Sequence, residues 1–214
     1  IAITGATGQL GHYVIESLMK TVPASQIVAI FVSGKSQALA AQGITVRQAD
    51  YGDEAALTSA LQGVEKLLLI SSSEVGQRAP QHRNVINAAK AAGVKFIAYT
   101  SLLHADTSPL ASPMSTSRRR KCWLILASFT PAAQRLVHRK LPRQRPGSTG
   151  TRRIYRCGGR WQNRLSNAAD YAAAAARVIS EAGHEGKGYE LAGDSAWTLT
   201  QLAAELTKQS GKSV

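Results

Sequence analysis

The stretch "TGATGQLG", Thr4 to Gly11, spaces three glycines as Gly5-x-x-Gly8-x-x-Gly11, directly behind the apolar residues Ile1 to Ile3. This is the pattern of a phosphate-binding turn between a strand and a helix. Gly5 permits the tight turn, Gly8 lets a pyrophosphate approach the backbone, and Gly11 lets the helix pack close to the sheet. Backbone N–H groups along Ala6, Thr7, Gln9 and Leu10 are then placed to face the phosphates at the start of the helix. A glycine pattern alone also fits an ordinary strand–helix turn; the strand–turn–helix context favours a dinucleotide site.

NAD selectivity usually rests on an acidic side chain about 20 residues after the glycines, where it accepts the ribose hydroxyls. This chain has no acid between Glu16 and Asp50, so NADP is the expected cofactor. A 2′-phosphate calls for a cation and tolerates no carboxylate. Ser33 and Lys35 are the polar candidates for it. The surrounding "AIFVSGKS" imitates a P-loop, but Ala29 stands where the first glycine is required, and no ATPase follows.

Further candidates lie at the carboxyl ends of strands, where open α/β sheets bind ligands. Asp50 could accept from an adenine amino group, or cap the turn before Gly52. Leu69, Ile70, Ser71 and Ser72, with Ser73, end a fourth strand and would line the nicotinamide ribose. Tyr99, Thr100 and Ser101 end a fifth, nearer the reacting ring. Alcohol–ketone chemistry would call for a proton donor, typically Tyr-x-x-x-Lys. None of the six tyrosines has a lysine at that offset, and His104 reads as a loop residue. No catalytic side chain is assigned. Hydride transfer to a quinone needs less from the protein, because the cofactor carries the chemistry.

The elements that position these groups alternate regularly up to about residue 105. Ile1 to Thr4 forms a strand, and Leu10, Val14 and Leu18 recur at helical spacing. Strands at Gln26 to Val32 and Thr45 to Ala49 flank a helical run at Ala38 to Ala41. Asp53 caps a helix that Gly63 ends. "VEKLLLISSS" is apolar enough for burial on both faces, as parallel sheets require. A helix through "NVINAAKAAG" precedes the strand "VKFIAYTS". Together these predict right-handed crossovers and a Rossmann-type doubly wound parallel sheet. From Asp170, "ADYAAAAARVISEAG" reads as a helix, "GYELAG" as a short strand, and Thr198 with Gln201 as a capping box.

Composition bounds the rest. The wholly apolar runs, such as Leu67 to Ile70, are far too short to span a bilayer, so no membrane partner is expected. The chain opens on "IAITG" with no secretory signal pattern, and a cytoplasmic protein is expected. Cys122 and Cys157 offer neither a disulfide framework nor metal-ligand spacing. The net charge of +13 is localised. Ser112 to Ala168 holds 14 Lys+Arg and no acid, while everything else sums to −1.

"IAITGATGQLGHYVIESLMK", "VRQADYGDEAALTSALQGVEKLLLISSS", "NVINAAKAAGVKFIAYTSLLHAD" and the stretch from "ADYAAAAARVISEAG" to "ELTKQSGK" resemble the NmrA-like, atypical short-chain dehydrogenase group, and within it the bacterial NAD(P)H:quinone oxidoreductases. The resemblance runs through helices and loops over about three quarters of the chain. It implies a Rossmann domain binding NADPH over 1–110, a smaller C-terminal substrate domain, and two-electron reduction of a small-molecule quinone without a tyrosine-based triad. Lys35 stands where the group usually has an arginine for the 2′-phosphate. Residues 169–214 correspond to only part of the substrate domain, which is therefore expected to be incomplete.

Ala111 to Ala168 has no such likeness, although its length is about that of the segment it replaces. Periodicity is lost, acids vanish, arginine displaces lysine, and the borders are abrupt. We therefore read residues 111–168 as translated from a shifted frame that is restored near Asp170. The alternative is an NAD(P)-sensing NmrA-like regulator whose basic arm binds nucleic acid, Trp123, Tyr155 and Trp161 stacking on bases. The arginines follow no helical face and match no groove-reading motif, which weighs against that partner. Resequencing the coding DNA is expected to reveal compensating frame changes at the two borders; one clean frame confirmed by intact mass would overturn this reading.

Overall fold

The computed structural model describes residues 1–33, 36–72, 77–101, 124–127, 167–191 and 198–211. Six strands run β1 (Ala2–Ile3), β2 (Val28–Phe31), β3 (Thr45–Gln48), β4 (Lys66–Leu69), β5 (Phe96–Ser101) and β6 (Leu124–Ala127). Between and after them lie helices α1 (Gln9–Leu18), α2 (Gln37–Ala41), α3 (Glu54–Ala60), α4 (Arg78–Ala91), α5 (Ala168–Ser180) and α6 (Leu199–Ser210). The sheet is parallel throughout, in the order β3-β2-β1-β4-β5-β6. This is the doubly wound Rossmann arrangement, and its order reverses between β1 and β4.

The strands are apolar on both faces because both faces are covered. Alternate residues divide between two core layers: Ile3, Ala29, Leu68 and Ala98 face α1 and α5, while Ala2, Val28, Ile30, Leu67 and Leu69 face α3 and α4. On the first face Val14, Ile15 and Leu18 of α1 meet Ala172, Ala175, Ala176 and Ile179 of α5. Three alanines let these helices come close. Local signals end the elements where expected. Asp53 caps α3 by accepting from Ala56 N at 2.9 Å, and Gly63 and Gly93 take left-handed φ values of 75° and 76° after α3 and α4.

The chain divides into two compact units, one made of Ile1–Ser128 with Asn167–Leu191, the other of Phe129–Ser166 with Ala192–Val214. Helix α5 thus belongs to the Rossmann unit, whereas the sequence grouped it with a C-terminal region from 169. In the second unit the described part is α6, closed by the expected capping box between Thr198 and Gln201.

Three local expectations are corrected. The segment 111–168 supplies a strand after all. Leu124–Ala127, from its one apolar run, pairs in parallel with Ala98–Ser101 of β5. A sheet edge recruits a short apolar segment whatever its flanks. Apart from these four residues, Asn167 and Ala168, that segment lies outside the described residues. Helix α4 begins ahead of "NVINAAKAAG", at Arg78, with Pro80 in its first turn, where a missing N–H costs nothing. In the described part of "GYELAG", residues 188–191, there is only an isolated bridge at Tyr189, which follows the turn at Gly186, φ 70°.

Candidate functional site

The glycine turn is built by close backbone approach. Gly5 leaves β1 with φ 62°, a conformation that favours glycine. Its carbonyl accepts from Gly8 N at 3.0 Å, while Ala6 N donates to Ile30 O of β2 at 3.1 Å. A Cβ on Gly11 would collide with the Gly5 carbonyl oxygen and come within 2.8 Å of Ala6 Cα. Only glycine lets α1 begin this near the strand. Gly8 is the N-cap of α1 and supplies no side chain, so nothing on the cap competes for the first helical N–H groups. The first turn of a helix leaves such donors unpaired within the helix, and its dipole adds partial positive charge. The result is an anion cradle aimed off the carboxyl edge of β1.

The turn is anchored on both sides. On the β2 side, Thr7 Oγ1 donates to Ser33 O at 3.3 Å. On the β4 side, the buried Thr4 hydroxyl donates to Leu68 O at 3.3 Å and accepts from Ile70 N at 3.0 Å. Tyr51, just after β3, reaches the same place and donates its hydroxyl to Ile70 O at 2.9 Å. Burial pushes the Tyr51 phenol well above its ordinary range, so it serves as a fixed donor. Asn84 of α4 holds the Tyr51 carbonyl at 3.0 Å.

A second polar cluster lies at the ends of β4 and β5. Ser71 N donates to Thr100 Oγ1 at 2.8 Å, and the Thr100 and Ser71 hydroxyls are 3.3 Å apart. Ser72 N donates to Nε2 of His82 at 3.0 Å, and Ser72 O accepts from Arg78 Nε at 2.8 Å. The other ring nitrogen of His82 lies 3.3 Å from the Tyr99 hydroxyl. His82 is wholly buried, and burial, helped by the Arg78 charge, lowers its pKa from 6.5 to about 4. The imidazole is therefore neutral near pH 7, and accepting at Nε2 places its proton on Nδ1.

The structure gathers Gly5, Ala6, Thr7, Gly8, Gln9, Leu10, Gly11, Ile70, Ser71, Ser72 and Thr100 along one edge of the sheet, around the β1–β4 switch point. Leu69 is close by in sequence, but its side chain is fully buried in the α3–α4 core layer. Asp50 is exposed after β3 and uses Oδ1 to accept from Gly52 N at 2.6 Å, the turn-capping role also foreseen for it. Lys35, Ser73 and His104 lie outside the described residues. Tyr99 packs toward α4, where its hydroxyl meets His82 and burial raises its pKa. The sequence reading missed His82, Arg78 and Tyr51. The spacing of His82, Val85 and Ala89 on one buried face of α4 was the available signal for the first.

Known proteins resemble this chain in sequence and fold. Residues 1–115 match the NmrA-like family. Quinone oxidoreductase 2 of Escherichia coli (strain K12) is 71% identical over 229 aligned positions, covering 100% of this chain and 76% of that protein. The chain belongs to the NmrA-like family. The family match ends at residue 115, whereas the alignment to the E. coli protein runs over the whole chain. Among solved structures, the E. coli NADPH-dependent quinone oxidoreductase complexed with NADPH is 66% identical, with a TM-score of 0.79 over 100% of this chain and 76% of that one. The Citrobacter sp. triphenylmethane reductase complexed with NADP(H), 36% identical, has a TM-score of 0.77 over 100% and 77%.

Opposing effects meet at Gly11. Alanine is the better helix former by about 1 kcal/mol, but a Cβ pressed into backbone costs ~1–3 kcal/mol. The contact is with backbone, which cannot rotate away, so overpacking is expected to win. Urea titration of Gly11→Ala should show a net loss of up to about 2 kcal/mol; a variant more stable than the parent would contradict the close approach.

Proposed function

We propose that this protein is an NADPH-dependent oxidoreductase that passes hydride to a quinone-type small-molecule acceptor. The observation that carries this reading is the Gly5–Gly11 cradle at the β1–β4 switch point, on a chain 71% identical to a quinone oxidoreductase. The cradle fits a dinucleotide pyrophosphate: its donors are backbone amides, and the Cβ-free faces leave room for phosphate oxygens.

When bound, NADPH supplies the hydride. The protein's part is to hold and orient. We assign the amides from Thr7 to Gly11 to the pyrophosphate, Ser33 and Lys35 to the 2′-phosphate, and Asp50 to the adenine side. The Ile70–Ser72 backbone and Thr100 are assigned to the nicotinamide half. No carboxylate occurs in residues 17–49 to repel a 2′-phosphate or bind a free 2′-hydroxyl. Tyr99 is committed to His82 and is not assigned as a proton donor. A quinone needs none so strongly, because its two-electron reduction gives a resonance-stabilised hydroquinone anion that solvent can protonate.

Following NADPH absorbance at 340 nm with 1,4-benzoquinone tests this reading. Quinone-dependent oxidation is expected, with kcat/KM for NADPH at least about tenfold above that for NADH, a difference of ~1.4 kcal/mol. A purified, folded chain that oxidises neither cofactor, or prefers NADH, would contradict it.

A further inference from the structure

We propose that His82 is a positioning residue for the nicotinamide half of the site: its imidazole accepts the Ser72 N–H and so fixes the Ser72 backbone just after β4. This rests on the NADPH reading above. One helix turn of α4 holds both backbone groups of Ser72, with His82 Nε2 on its N–H at 3.0 Å and Arg78 Nε on its carbonyl at 2.8 Å. Thr100 holds the preceding amide, Ser71 N, at 2.8 Å. Two successive loop residues beyond the carboxyl end of β4 are therefore tied to side chains of α4 and β5.

A wholly buried imidazole on the stripe with Val85 and Ala89 is costly unless its nitrogens are matched. An aliphatic residue would pack there at less cost. What the imidazole adds is an acceptor for Ser72 and, through Nδ1, a link to Tyr99 on β5. Among the described residues, the titratable or charged groups facing it are Arg78 on its own helix, Tyr99 on β5 and Tyr51 after β3, the last two ring-edge on at 5.3 and 6.5 Å.

Protonation would set an N–H at Nε2 against the Ser72 N–H, donor facing donor, and release Ser72. The sign of the pH effect follows. Between about 4 and 6.5 the unfolded imidazole binds a proton and the native one does not, so native stability falls as pH drops through that window. The held geometry itself is lost as pH falls through about 4.

Calorimetric titration with NADP+, which survives acid, separates positioning from packing when the parent is compared with His82→Gln and His82→Phe. Glutamine can present a carbonyl oxygen near the Nε2 position and gains no proton. Phenylalanine fills space and accepts nothing. At pH 7, His82→Phe should weaken NADP+ binding about tenfold, the size of one lost hydrogen bond, while His82→Gln stays within about threefold of the parent. Below pH 5 the parent should lose affinity more steeply than His82→Gln, since titration of the cofactor phosphate is common to both. Phenylalanine binding as well as histidine, glutamine failing to recover affinity, or glutamine keeping the same acid loss would each overturn the proposal. If His82→Phe does not fold, the Gln comparison decides. If the parent binds no NADP+, the NADPH reading fails, and amide exchange at Ser72 decides instead. Protection in the parent and His82→Gln but not His82→Phe supports the role; equal exchange in all three refutes it.

Discussion

The approach of α1 to the end of β1 sets the geometry on which the rest depends. The helix can start beside the Gly5 carbonyl only because Gly11 has no Cβ, and Gly5 can turn the chain only at a φ of 62°. From that contact the first-turn amides of α1 point off the carboxyl edge of the sheet. The body of the helix is held by apolar packing, with Val14, Ile15 and Leu18 seated against the alanine face of α5. Residues more than 150 positions apart in the chain thereby keep one turn in place. Burial supplies the force, and the glycines decide where it is applied.

The polar groups around the turn show the same economy. Thr4 and Tyr51 bond the backbone around β4, and Thr100, His82 and Arg78 bond the loop just after it. These bonds join β1, β4, β5 and α4 at the point where the strand order reverses, the place where open α/β sheets bind ligands. A site built this way has its backbone tied by hydrogen bonds to neighbouring elements. That suits a reaction in which the protein orients the cofactor rather than donating a proton.

Much of this was legible in the sequence, where local chemistry decides the outcome. The glycine spacing, the both-faces-apolar strand at Leu67–Leu69, the Asp53 cap and the Thr198–Gln201 capping box depend on neighbours a few residues away. Tertiary context decided the rest. Leu124–Ala127 becomes a strand because β5 offers it an open edge, while the described part of "GYELAG" forms only a bridge at Tyr189. His82 looked like one polar residue in a helix of weak amphipathicity. Its role depends on a loop ten residues earlier, which the helix meets only once the sheet has formed. The basic charge is a large number confined to Ser112–Ala168, beside a remainder that sums to −1.

Whether the amides at the start of α1 hold the pyrophosphate can be measured directly by titrating isotope-labelled protein with NADP+ and following the backbone N–H resonances. Saturable shifts that are largest at Gln9, Leu10 and Gly11, with Ser71 and Ser72 following at the same concentration, are the expected result. Saturable binding of NADP+ that leaves Gln9, Leu10 and Gly11 unmoved would contradict the assignment of the glycine turn as the cofactor cradle.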